Sequence, residues 1–151
     1  MIDHEHRLRA AGLRVTRPRT AVLEAVSTRP HADSATIVAL VGELAPTVSR
    51  QAVFDCLNAC TAAGLLRRIE PAGMTARYEL RVGDNHHHLV CRSCGTVVDI
   101  ECALGAAPCL APADDHGFVI DEAEVTHWGM CPACSARTEA MPGTEPAKGM
   151  R

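Results

Sequence analysis

Two Cys-x-x-Cys pairs, Cys91/Cys94 and Cys131/Cys134, constrain this chain more than any other feature. Two residues between thiols let both sulfurs reach one ion while backbone N–H groups soften their charge. Four thiolates around Zn²⁺ close a tetrahedron with no open position, which is the chemistry of a structural site. Thirty-six residues lie between the pairs, so such an ion staples the start of the second half of the chain to its end. The other readings of these cysteines are a redox dithiol pair or buried free thiols.

Around the first pair, residues 84–101 read DNHHHLVCRSCGTVVDIE. His86, His87 and His88 run into Cys91, and Asp99 and Glu101 follow it. Thiolates are soft donors, whereas imidazole and carboxylate suit borderline and harder ions. One short stretch therefore holds the material for two metal sites of different kinds. The bland alternative is a polar loop with surface histidines and a reduced cysteine pair.

A chain of 151 residues fits one ordinary domain or two small ones. Two small ones are each marginal, and metal or dimerisation helps both. Only 3% of residues are aromatic although 47% are hydrophobic, so aliphatic side chains must fill the core. Residues 1–80 carry ten arginines against eight carboxylates; the remainder carries five cations against ten acids, for a net charge of −3. The mildly basic first half permits nucleic-acid binding. The N-terminus, MIDHEHRLRAAG, is charged, and no apolar run approaches membrane-spanning length. The expectation is a cytoplasmic protein with no membrane partner, whose eight cysteines serve metal or redox chemistry.

Along the chain, His4 to Ala11 is amphipathic and stops at Gly12. Thr16 stands as the N-cap of a second helix with Pro18 in its first turn. Asp33 or Ser34 caps a third, with Ile37, Leu40, Val41 and Leu44 at helical spacing. Ser49 caps a fourth from Arg50 to about Ala63, where Val53, Leu57 and Cys60 face inward and Gly64 supplies the stop. Leu65–Glu70 and Thr75–Leu80 read as strands joined by Pro71-Ala72-Gly73. Helices followed by a two-stranded hairpin are the order of a winged helix, whose second helix-turn-helix element enters the major groove. Residues 81–84 read as a hinge. Strands at His88–Cys91 and Thr96–Glu101, an irregular or short helical stretch over 104–115 and a longer strand at Phe118–Trp128 make a small α+β module. After Cys134 the composition reads as a disordered tail.

GLRVTRPR, VSRQAV, ARYELRVGDNHHHLVCRSCG and WGMCPAC together resemble the ferric uptake regulator family, over about Arg7 to Cys134. RVGDNHHHLVCRSCG and DEAEV look like the branch that controls catalase-peroxidase genes under oxidative stress. The resemblance implies an α+β protein: a winged-helix DNA-binding domain over 1–80, a hinge at 81–84 and a metal-binding dimerisation domain over 85–134, before the tail at 135–151. It implies a homodimeric repressor on double-stranded operator DNA, with structural Zn²⁺ on Cys91, Cys94, Cys131 and Cys134. It also implies a regulatory site at the hinge. His86 and His88 share a strand face and match the regulatory histidines, Glu79 the hinge carboxylate and Asp99 the last carboxylate. The family's remaining histidine aligns with Arg29, and His31 is the natural substitute. His87 faces the other way and could serve an additional metal site, with Glu101 as a candidate partner.

His/carboxylate ligation suits Fe²⁺ and other divalent transition metals. Aspartate at 99 resembles peroxide-sensing relatives, in which the histidines beside bound Fe²⁺ are oxidised. Cys56 and Cys60 are small core residues at helical spacing. Cys102 and Cys109 are a buried thiol pair or a redox switch. Arg50 and Gln51, just after Ser49, sit where base edges are reached. Arg14, Arg17 and Arg19 flank the second helix; by resemblance Arg14 and Arg19 approach phosphates or a minor groove, and Phe54 a thymine methyl. The expected function is a metal-dependent, peroxide-responsive repressor with no small-molecule substrate. The alternatives are a zinc- or iron-sufficiency repressor and a His/carboxylate metalloenzyme, and the chain is expected not to be an enzyme.

Overall fold

The computed structural model describes residues 3–102, 109–121 and 123–139. The chain divides into two compact units after Asp84, at the end of the segment read as a hinge. Arg81 Nε donates to Asp84 Oδ2 at 2.7 Å within that segment.

The first unit runs α1 (His4–Ala10), α2 (Arg17–Thr28), β1 (Ala32–Asp33), α3 (Ser34–Leu44), α4 (Arg50–Ala62), β2 (Arg67–Ile69) and β3 (Arg77–Glu79). Its strands form an antiparallel sheet in the order β1-β3-β2. Leu8, Val22, Leu23, Val26, Ile37, Val41, Val53 and Leu57 are buried in one apolar core with Tyr78. Their helical spacing turns one face of each helix inward. Two helix starts follow their caps: Asp33 Oδ1 accepts from Thr36 N at 2.8 Å and Ser49 Oγ from Ala52 N at 3.2 Å. Cys56 and Cys60 are buried in this core as expected, and burial pushes the Cys60 thiol up to about 11. This arrangement is a winged helix, with α3 and α4 as the helix-turn-helix pair and β2–β3 as the wing.

Thr16 departs from expectation. It sits at the N-cap of α2 in an extended conformation but makes no side-chain cap bond. An N-cap oxygen serves the N–H of the second or third helical residue; Pro18 removes the second, and the Thr16 side chain does not take up the third, that of Arg19. The short strand β1 was also not expected; it pairs Ala32 with Tyr78 and Asp33 with Arg77.

The second unit is a small α+β module: β4 (His86–Cys91), β5 (Val97–Glu101), β6 (Thr126–Gly129) and α5 (Pro132–Glu139). The sheet order is β5-β4-β6, with β4 antiparallel to β5 and parallel to β6. Gly95, at φ 72, makes the tight turn after β4, and its N–H returns to the Cys91 carbonyl at 2.9 Å.

Two expectations are corrected here. Among the described residues, the strand read over Phe118–Trp128 is found at Thr126–Gly129, the part that pairs with β4. Phe118, Val119 and Ile120 are exposed and pair with no strand among the described residues. The disordered tail read over 135–151 is helical through Glu139. The second cysteine pair nucleates that helix: the Cys131 carbonyl accepts from Cys134 N at 3.0 Å and Ser135 N at 2.9 Å. Residues 140–151, and residues 104–108 of the irregular stretch, lie outside the described residues. Residues 109–115 are irregular, as expected.

Candidate metal centres and nucleic-acid face

The ends of β4 and β6 bring the two cysteine pairs together. One ligand atom from each of Cys91, Cys94, Cys131 and Cys134 lies within 4.8 Å of the others. Cys94 Sγ and Cys131 Sγ are 3.7 Å apart; Zn–S bonds of about 2.3 Å give a tetrahedral edge of about 3.8 Å. The donor set therefore fits a structural zinc ion. The surroundings favour thiolate at Cys91 and Cys94. Cys131 N–H donates to Cys91 Sγ at 3.3 Å and Arg137 Nη2 to Cys134 Sγ at 2.7 Å. The backbone N–H groups of Cys131 and Cys94 hold the Cys91 thiol down at about 6. The N–H of Cys134 also favours the Cys131 thiolate, but the Cys134 thiol, burial and the Cys91 and Cys94 thiols together push Cys131 up to about 11. Four thiolates in this space need a cation to lose all their protons.

In the first unit, His31 Nε2 lies 3.0 Å from Glu79 Oε2. Glu79 is 1% exposed, and Arg67 Nε stands 3.9 Å from its other oxygen. A buried carboxylate needs such partners. His31 reaches it from a left-handed backbone, φ 59, fixed by a bond from its N–H to the Tyr78 carbonyl at 2.9 Å. The structure thus brings His31, rather than the aligned Arg29, to the hinge carboxylate. The sequence offered no signal for the left-handed residue.

In the second unit, His86 and His88 are buried on one face of β4. Asp99 lies directly across from His88 in β5. Its Oδ1 is 3.5 Å from His88 Nε2 and 3.8 Å from His86 Nε2. Two imidazoles and a carboxylate converge there, a donor set suited to a borderline divalent ion.

His87 points to the opposite face. Its candidate partner Glu101 pairs across the strands with His86, so strand alternation places Glu101 with His86 and His88 instead. The partners of His87 are Cys102 and Cys109, which lie with it in one cluster of potential ligands. Sequence reasoning named all three residues without joining them.

On α4, the exposed Arg50 and Gln51 occupy the first turn, as expected. The Arg50 guanidinium stacks over the Phe54 ring at 5.7 Å. Gln51 Nε2 donates to Asp55 Oδ1 at 2.9 Å, so the acid next to this face is engaged by its own helix. Arg14 and Arg17 are exposed, and Arg19 Nη1 donates to the Arg14 carbonyl at 2.8 Å.

A winged helix joined to a cysteine-clustered α+β unit defines a class of transcriptional regulator. The ferric uptake regulator family matches residues 10–127. The chain is 62% identical over 133 residues to the transcriptional regulator FurA of Mycobacterium tuberculosis (strain ATCC 25618 / H37Rv), covering 88% of this chain and 90% of that protein. It is 60% identical over 127 residues to ferric uptake regulation protein 1 of Mycolicibacterium fortuitum, covering 84% and 79%. The solved structure of the ferric uptake regulator from Francisella tularensis with iron shares the fold at a TM-score of 0.65 and 19% identity, over 82% of this chain and 96% of that one. The chain belongs to the ferric uptake regulator family. It is a metal-responsive, DNA-binding transcriptional regulator and not an enzyme. No helix among the described residues is long and apolar enough to cross a membrane.

Proposed function

We propose that this chain is a cytoplasmic homodimeric repressor that binds operator DNA when its regulatory metal is held, and leaves it on oxidation or metal loss. The observation that carries the proposal is the division of donors. His31 and Glu79 pair in the first unit; His86, His88 and Asp99 converge in the second. Two donors are few for a tight site, whereas the five together suit Fe²⁺ or another divalent transition metal. Held on these residues, the metal makes DNA binding conditional. Zn²⁺ on the four-cysteine cluster keeps the second unit folded.

The exposed Phe118, Val119 and Ile120 support the homodimer, since apolar strand-formers left at the surface suit a second copy. Arg50 and Gln51 read bases from the first turn of α4, with Ser49 fixing its start and Phe54 bracing Arg50. Arg14, Arg17 and Arg19 contact the backbone.

Peroxide sensing is supported by Asp99, the residue at which this chain resembles peroxide-sensing relatives. His86, His88 and Asp99 would hold Fe²⁺, which would activate peroxide beside the two imidazoles. Each H₂O₂ would oxidise one ring by two electrons, one oxygen adding to His86 or His88 and the other leaving as water. Loss of their basicity removes two ligands and with them the DNA-competent state. A sufficiency repressor without peroxide chemistry is the competing assignment, favoured by the name of the M. fortuitum relative.

A gel shift with the iron-loaded protein tests this. Binding should need metal, should fall several-fold or more in Arg50→Ala with metal content unchanged, and should be lost on adding peroxide. The peptide containing residues 86–88 should then carry one-oxygen mass increments. Retained binding and an unmodified peptide would establish the sufficiency repressor instead.

A further inference from the structure

We propose that His87, Cys102 and Cys109 form a third metal site, selective for a thiophilic ion, with Zn²⁺ as its natural occupant. Two thiolates and one imidazole would hold the ion, leaving one position open. The site lies wholly in the second unit and goes beyond the repressor assignment.

Strand register builds the first half of it. His87 lies across from Ile100, and Cys102 is two residues beyond Ile100. Alternation therefore puts Cys102 on the His87 face, diagonally across from it. Cys109 enters from outside the sheet: its Sγ lies 3.2 Å from His87 Nε2. One ligand atom from each of the three residues lies within 4.8 Å of the other two. With Zn–S of about 2.3 Å and Zn–N of about 2.0 Å, a tetrahedral sulfur–nitrogen edge is about 3.5 Å, so small shifts would admit the ion.

The alternative to a metal is unfavourable here. The His87 ring is 7% exposed and Cys109 9% exposed. His87 Nδ1 is buried with no hydrogen-bond partner among the described residues. A buried imidazole whose contact is a weak thiol donor gives up most of its hydration for little. A cation at Nε2 would replace the weak thiol contact with a coordinate bond, the ring proton staying on Nδ1.

Donor chemistry separates this site from the other two. The four-cysteine cluster is closed, and the His86/His88/Asp99 face offers oxygen and nitrogen only. The new site has two soft donors, so it discriminates against Fe²⁺ and Mn²⁺ relative to Zn²⁺. Binding releases one proton from each thiol and none from neutral His87. The ion also closes the six-residue connection between Cys102 and Cys109. The open position would take water or an external thiolate.

The test is metal content of the full chain, prepared anaerobically with reduced thiols, saturated with Zn²⁺ and dialysed. Wild type should hold one zinc equivalent more per chain than Cys102→Ser/Cys109→Ser. With Co²⁺ in place of Zn²⁺, near-ultraviolet thiolate absorption should fall by roughly a third, since two of six ligating thiolates are removed. His87→Asn keeps both thiols and covers the case in which the serine variant does not fold. It should lose the same equivalent, and Cys102 and Cys109 should then react with a thiol reagent that spares them in wild type. Equal zinc and equal absorption in wild type and both variants would overturn the site. So would a Cys102–Cys109 disulfide in the anaerobic wild-type protein. None of these readouts involves DNA, so failure here leaves the repressor assignment untouched, and the reverse also holds.

Discussion

The two units solve the folding problem by different means. The winged-helix unit buries a continuous aliphatic core, with Leu8, Val22, Leu23, Val26, Ile37, Val41 and Leu57 all fully buried. In the second unit the buried residues are mostly ligand-type: His86, His87, His88, Cys91, Cys109 and Cys134, with Val90 the buried aliphatic among those described. Apolar burial at about 25 cal/mol per Å² can hold the first. The second has too little of it for a domain of its size, and metal–ligand bonds must supply the difference. The difference teaches where control can be placed. A unit whose stability is ligand chemistry can be switched by that chemistry, while the unit that reads DNA stays folded throughout.

The sharpest way to break this comparison is to remove the structural ion. Cys131→Ser should lose zinc and unfold the second unit, because structural zinc in small domains supplies roughly 10–16 kcal/mol. In ¹H–¹⁵N spectra the resonances of residues 86–101 and 126–138 should collapse while those of α1 to α4 persist. Collapse of both sets would show that the first unit does not stand alone. The converse substitution, Leu57→Ala, should destabilise the first unit by about 2–5 kcal/mol, read in a denaturation curve, with zinc content unchanged.

The smallest effect concerns a helix cap. Asp33→Ala should cost about 1 kcal/mol. Hydrogen bonds from the Thr36 N–H and hydroxyl hold the Asp33 carboxyl below its ordinary value of 3.8. A depressed pKa means the stabilisation is fully present above about 3.8 and lost as pH falls through the lower, folded value. The gap between wild type and variant should therefore narrow only below that pH, and a gap that is flat across it would remove the carboxylate from the account.

Much of this was legible in the sequence because the signals are local. Asp33 and Ser49 announce their helices, the apolar spacing gives the core of α2 to α4, and the cysteine pairs mark the four-cysteine cluster. What escaped depends on tertiary approach. Thr16 takes the extended N-cap conformation, yet its side chain makes no cap bond. The alternation at Phe118–Trp128 cannot say which part finds a partner strand within the chain. Nothing local puts His31 at φ 59 beside Glu79. The link between His87 and Cys102 follows from counting register across β4 and β5, but Cys109 arrives from outside the sheet.

The central claim is that a regulatory ion on the proposed donors controls DNA binding. The most direct test is operator affinity against metal concentration for wild type, Glu79→Gln and His88→Gln. If that ion controls binding, metal should raise wild-type affinity by roughly 5–150-fold, and either substitution alone should abolish that rise while leaving the metal content of the four-cysteine cluster unchanged. A metal-dependent rise that survives intact in either variant would contradict the proposed ligand set.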